Sequence, residues 1–346
     1  MNRQLNVAVL GCGRMGEVHG EAYAGLPDES RVFYASRDPD RATGYATRFG
    51  GVGVFGEYQE AIQTPDIDLV DICLPDHLHA ATAEAAFAAG KHVLVEKPMA
   101  TSLADADRMI RAGERAGRTL TIAENFRFLP HLERAKELVA ESALGEIFLI
   151  EVNHFESLHP RGWRTQTTDD AGGTLIDVGH HFVDMAVQLG GPVDWVFAQF
   201  AQRTLRDFTG EDTAVVMLGY ASGVIGHLAV TIGAPGAPPQ PTFIVCGTKA
   251  SLYFDWQSGL WTGEGRAWSP STLVLAKAPE PPDSFDYWGV AIHAMVRSVV
   301  SDLRAGLAPR ITGDIGRHDL ALILAARQSA RTREVVAVAH SADAQG

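Results

Sequence analysis

Three glycines near the N-terminus restrict the fold more than any other feature. Gly11, Gly13 and Gly16 form a GxGxxG run that directly follows the apolar residues 7–10 and opens a helix-compatible stretch. At a strand-to-helix junction the first glycine permits a tight turn. The second lets backbone N–H groups approach a pyrophosphate, and the third lets the helix pack on the sheet. The helix N-terminus then presents its positive dipole end to the phosphates. The run therefore predicts a dinucleotide site made by Gly11, Gly13 and Gly16 with the intervening Arg14 and Met15.

From the N-terminus to about residue 123, short β-branched runs alternate with amphipathic helical stretches, the βαβ signature of a parallel sheet. Strands are expected at 6–10, 32–35, 69–73, 92–95 and 119–122, and helices after Gly13, Asp38, Asp76 and Ser102. Beyond residue 124 the texture changes. One helix near 131–142 precedes strand-like runs at 147–155, 193–201, 213–220, 224–232 and 243–245, which implies a mostly antiparallel sheet. Pro-rich loops follow at 233–241 and 278–286, then helical spacing at Trp288, Ile292, Met295, Val296, Val299 and Leu303, and an apolar helix face over 320–330. The expectation is an α/β protein in two domains: a Rossmann domain at 1–124 and, at 125–346, an α/β domain on an open, mostly antiparallel sheet. With 346 residues, 46% of them hydrophobic, the chain can supply two cores.

The end of the second strand bears on the choice of cofactor. An acidic residue there would hold the ribose 2′-hydroxyl of NAD; this chain has Ser36 and Arg37, with Arg41 one turn further on. A hydroxyl and two guanidinium groups suit a 2′-phosphate, which favours NADP, with NAD as the alternative. Asp38 lies two positions past the expected acidic place and reads as the cap of the next helix.

Several motifs then converge. Pro75-Asp76-His77-Leu78-His79, the GKHVLVEKP run at 90–98 and the GGTLIDVGHH run at 172–181 accompany the GxGxxG. In combination they resemble the family of glucose-fructose oxidoreductase, inositol dehydrogenase and rhizopine-catabolism proteins (Gfo/Idh/MocA), over nearly the whole chain. The resemblance implies a dehydrogenase or reductase acting on a sugar, sugar derivative or cyclitol. It assigns Lys97 to the nicotinamide side and the substrate hydroxyl, pairs Asp177 with His181, and places Pro75, His79 and Glu96 with the cofactor. Asp76 stands where the family often has Asn. Trp163 and Arg164 resemble a segment that closes over cofactor and substrate, and association into homodimers or homotetramers through the second sheet is also implied.

The chemistry wants such groups. Oxidising an alcohol releases a proton as the hydride departs, so an acid/base must reach that oxygen. Lys97 can polarise the oxygen or relay the proton, and His181 titrates in the useful range unaided; both remain open as the carrier. Asp177 would orient His181 or hold a second hydroxyl. Asn125 and Arg127 at the fifth strand's end, and His154 on the first strand of the second domain, are substrate-binding candidates, with interdomain hydrogen bonding as the alternative. His180, His181, Asp177 and Asp184 include metal-ligand types. Adjacent histidines on a helix point about 100° apart, so no metal is expected there.

Two other functions share this fold: a dinucleotide-dependent glycoside hydrolase and a non-catalytic cofactor sensor. The presence of Glu96, Lys97, Asp177 and His181 disfavours the sensor. A net charge of −13 without a basic run disfavours nucleic acid and anionic membranes as partners. No stretch approaches the roughly 20 apolar residues of a membrane span, and the start lacks a cleavage-site pattern, so a cytoplasmic protein is expected. Cys12, Cys73 and Cys246 are scattered singly, without CxxC spacing.

Overall fold

The computed structural model describes residues 3–165, 172–237, 240–256, 259–264, 267–270 and 287–340. The chain divides into two compact units, Met1–Phe128 with Asp286–Arg317, and Leu129–Phe285 with His318–Gly346. The division expected from sequence, with everything after residue 124 in one second domain, misses the return of Asp286–Arg317 to the first unit. The Pro-rich loop anticipated at 278–286 lies outside the described residues.

The first unit is a six-stranded parallel sheet of β1 (Leu5–Leu10), β2 (Ser30–Ala35), β3 (Gly53–Phe55), β4 (Leu69–Ile72), β5 (His92–Glu96) and β6 (Leu120–Ala123), in the order β3-β2-β1-β4-β5-β6. The crossover helices are α1 (Arg14–Ala24), α2 (Pro39–Phe49), α3 (Tyr58–Gln63), α4 (His79–Ala88) and α5 (Leu103–Ala116). β1 and β4 are buried along their whole length, which is why they read as unbroken apolar runs rather than alternating ones. Asp38 caps α2, accepting from the Arg41 amide at 3.2 Å, and Ser102 caps α5 in the same way.

In the second unit, α6 (Pro130–Ala140) precedes β7 (Ile147–Phe155). Then come α7 (Thr174–Asp177), α8 (Gly179–Gly190), β8 (Val193–Ala201), β9 (Thr213–Tyr220), β10 (Ile225–Thr231), β11 (Phe243–Gly247), β12 (Ser251–Asp255), β13 (Gly259–Glu264) and β14 (Ala267–Pro270). The returning segment forms α9 (Tyr287–Ala305), α10 (Gly313–Thr332) spans the junction between the units, and β15 (Val336–Ala337) closes one sheet edge. The nine-stranded sheet runs β14-β13-β12-β11-β7-β10-β9-β8-β15. Among the described pairs of this second sheet, β7 and β10 pair in parallel and the rest are antiparallel.

In the first unit, α9 sends Ile292, Met295, Val296, Val299 and Val300 into a core shared with Val7, Val9, Leu69 and Leu94. The segment after α9 also covers the β6 edge, where the Thr121 hydroxyl donates to the Ile311 carbonyl at 2.7 Å. Covering an edge satisfies backbone groups that would otherwise invite pairing with another chain.

Candidate active site

In open parallel sheets, ligands bind beyond the carboxyl ends of the strands where the order reverses, here between β1 and β4. Gly11 follows β1, Ser36 and Arg37 follow β2, Pro75 lies just after β4, Lys97 follows β5 and Asn125 lies just after β6. The candidates of the first unit therefore share one end of one sheet.

The glycines have separate reasons. Gly11 has φ +102°, and a Cβ there would sit 2.5 Å from the Cys73 carbonyl oxygen. A Cβ on Gly16 would sit 2.0 Å from the Gly11 oxygen. At Gly13 it would meet nothing within 4 Å. Gly13 is the N-cap of α1 and provides no side-chain cap, so the first-turn amides remain for an outside acceptor. Tight backbone on both sides of an open, uncapped helix start fits a pyrophosphate.

At the end of β2, the Ser36 hydroxyl accepts from the Asp38 amide at 3.1 Å, which leaves its hydrogen to donate. Arg37 and Arg41 are exposed, and Arg41 Nε lies 3.8 Å from Asp38 Oδ2. Asp38 is thus engaged with its own helix. Arg14 lies over the Trp288 ring at 5.4 Å, and Met15 packs partly buried against the core.

Three of the expected ligand residues make contacts within the first unit. His79 is 1% exposed, with Nδ1 2.9 Å from the Pro98 carbonyl and Nε2 2.8 Å from that of Leu74. With a backbone carbonyl at each ring nitrogen, the ring braces the end of β4 against the segment after β5, and burial lowers its pKa. Glu96 turns inward too: Oε1 lies 3.0 Å from His19 Nε2, and Oε2 accepts from the Lys97 amide at 3.2 Å. Asn125, 2% exposed, donates to the Trp288 carbonyl at 3.3 Å, which ties the end of β6 to the start of α9. Lys97 and Arg127 are half-buried, Pro75 likewise, and the Lys97–Pro98 peptide is cis.

In the second unit, Asp177 ends α7 and His181 lies in the first turn of α8. Val178 between them keeps helical dihedrals, so residues four apart share a face across the break. His181 is 7% exposed. Arg164 pairs with Asp177, its Nε donating to Oδ2 at 2.8 Å. That pairing gives Asp177 a cationic partner within the second unit. His154 stacks on Phe182 at 4.4 Å, with Nε2 3.0 Å from Glu156. The side chain of Trp163 lies outside the described residues.

Residues that sequence reasoning passed over hold this second element. Gly173 has φ +107°, and a Cβ there would strike the Glu211 carboxylate. Glu211 accepts from the Leu175 amide at 2.9 Å, and Arg327 donates to the Gly172 carbonyl at 2.6 Å. Burial raises the Glu211 pKa. In the first unit His19, Asp71 and Tyr23 were likewise missed. The available signal was a carboxylate inside an otherwise apolar central strand.

Comparison with known proteins bears on the fold and the family. Residues 5–124 match the model of an oxidoreductase family with an NAD-binding Rossmann fold, and residues 132–253 match a GFO/IDH/MocA C-terminal domain. The chain is 30% identical over 290 residues to levoglucosan dehydrogenase of Pseudarthrobacter phenanthrenivorans, covering 74% of each. It is 24% identical to myo-inositol 2-dehydrogenase of Thermotoga maritima, over 96% of this chain and 98% of that one. A solved levoglucosan dehydrogenase in complex with NADH superposes with TM-score 0.88 at 27% identity, covering 98% of this chain and all of that one. Fold and glycine cradle define a dinucleotide-binding oxidoreductase. Within that class, the chain belongs to the Gfo/Idh/MocA family.

Proposed function

We propose that this protein is an NADP-preferring dehydrogenase or reductase that interconverts a hydroxyl and a carbonyl carbon on a sugar, sugar derivative or cyclitol. The observation that carries it is Lys97, a half-buried amine at the carboxyl end of β5, in the same sheet end as the uncapped start of α1. A bound nicotinamide dinucleotide supplies or accepts the hydride. The rest falls to the chain. Gly11, Gly13 and the α1 amides hold the pyrophosphate, and Ser36, Arg37 and Arg41 hold a 2′-phosphate. Lys97 polarises the reacting oxygen, and Lys97 or His181 carries its proton. Asp177, neutralised in part by Arg164, holds His181 or a neighbouring hydroxyl.

Relatives support the substrate class: levoglucosan, myo-inositol and D-apiose dehydrogenases, the last 27% identical over 95% of this chain. Lys97→Ala should reduce turnover by about a thousandfold while NADP binding stays within about tenfold. Near-normal turnover in that variant would remove Lys97 from the mechanism. Arg37→Ala should weaken NADP by about tenfold or more and NAD by less than twofold; equal losses would refute the 2′-phosphate assignment.

A further inference from the structure

Beneath the strand ends of the first unit lies a cluster that the proposed chemistry does not use. His19 of α1 is fully buried, with Nδ1 2.8 Å from Asp71 Oδ2 on β4 and Nε2 3.0 Å from Glu96 Oε1 on β5. The Glu96 contact is an ion-pair approach, off the line of a well-directed hydrogen bond. Tyr23 donates its hydroxyl to the same Asp71 oxygen at 3.0 Å. Cys73 Sγ lies 3.6 Å from both His19 Nδ1 and Asp71 Oδ1. Tyr34 of β2 is a further titratable group acting on Asp71, and α9 packs Ile292, Met295 and Val296 into the surrounding core.

His19, Asp71 and Cys73 are of metal-ligand type, with ligand atoms within 4.8 Å of one another. The short Nδ1–Oδ2 separation argues for a shared proton instead. Two ligands of one tetrahedral zinc stand roughly 3.3 Å apart, given metal–ligand bonds near 2.0–2.2 Å. A neutral imidazole donating to Asp71 would turn its Nε2 lone pair on a second carboxylate. An imidazolium faces both with N–H groups and leaves each anion paired, the arrangement a dry interior requires.

We propose that His19 is a positioning residue: held as an imidazolium between Asp71 and Glu96, it fixes the Glu96 carboxylate against the Lys97 amide and so sets the placement of Lys97 and the charge around it. This rests on the assignment of Lys97 to the reacting oxygen. The link is short in sequence and space, because Glu96 Oε2 accepts from the Lys97 backbone amide itself. Burial is the largest influence on His19 and disfavours its charge, but the charge and hydrogen-bond contributions of Asp71 and Cys73 together outweigh it and keep the ring's pKa well above the usual imidazole range.

The test is His19→Gln, which keeps size and hydrogen-bonding capacity but removes the charge. With NADP affinity within about threefold of wild type, turnover should fall at least about tenfold. The pH of half-maximal turnover should move up by about half a unit or more, since a nearby cation has been lost. A pH profile that stays in place, whatever happens to stability, overturns the proposal. Should the variant fail to fold, the wild-type protein labelled with 15N-histidine answers directly. One imidazolium signal persisting at pH 9, where ordinary histidines are neutral, supports the proposal; its absence overturns it. Failure of the Lys97 assignment looks different: Lys97→Ala would keep turnover while the imidazolium signal persisted.

Discussion

Single glycines separate binding from folding in this protein. Gly13 stands on extended backbone with open space where its Cβ would be, so Gly13→Ala should fold normally, with Tm within about 2 °C of wild type. It should nevertheless lose about tenfold or more in dinucleotide affinity, because the methyl occupies the approach of the pyrophosphate. Gly16→Ala drives a Cβ into the Gly11 carbonyl and should lower Tm by several degrees before any ligand is considered. Thermal melts and cofactor titration of the pair check this; similar melting losses in both variants would contradict it. The glycine motif was legible in the sequence because Gly11 and Gly16 answer backbone requirements and Gly13 keeps the helix start open. His79, Glu96 and Asn125 were legible as important positions but not in direction. Spacing places a side chain at a strand end without saying whether it turns to solvent or into hydrogen bonds with neighbouring backbone.

At the scale of elements, Lys91 explains part of the GKHV run. Its ammonium, 5% exposed, donates to the carbonyls of Thr64, Pro65 and Ile67, closing the end of α3 and the link to β4. Lys91→Met keeps the apolar stem but leaves three carbonyls, that of Ile67 buried and those of Thr64 and Pro65 partly so, without that donor. Chemical denaturation should show a loss of about 3 kcal/mol; a loss below about 1 kcal/mol would mean water replaces the amine. Long apolar strands such as β7, β8 and β9 were legible to the residue, because one buried face imposes a period of two. The three-residue β3, the six-residue α3 and the strands β12–β14 carry too few periodic positions to stand out from polar connections. The helix α9 was legible by its spacing, whereas its partner was not, since periodicity names the buried face and not what covers it.

For the whole molecule, the second sheet leaves Trp195, Val215, Met217 and Ile225 exposed on neighbouring strands β8, β9 and β10. Trp195 lies over Gly219, where a Cβ would meet its ring at 1.9 Å. We propose that a second copy of this chain covers the face, in keeping with the association the family resemblance implies. Native mass measurement should give a dimer or tetramer, and Met217→Glu should shift it toward monomer; a wild-type monomer at micromolar concentration would refute the proposal. Among the described residues, no helix is long and apolar enough to cross a membrane.

The central claim is redox turnover on a polyhydroxylated substrate. It is tested most directly by absorbance at the reduced-nicotinamide band, with purified protein offered free sugars, anhydrosugars and cyclitols, with NADP and separately with NAD. The account predicts a steady signal with at least one substrate, larger with NADP. Silence across the panel while the cofactor is demonstrably bound, or turnover of a glycoside without net change in the cofactor, would contradict it.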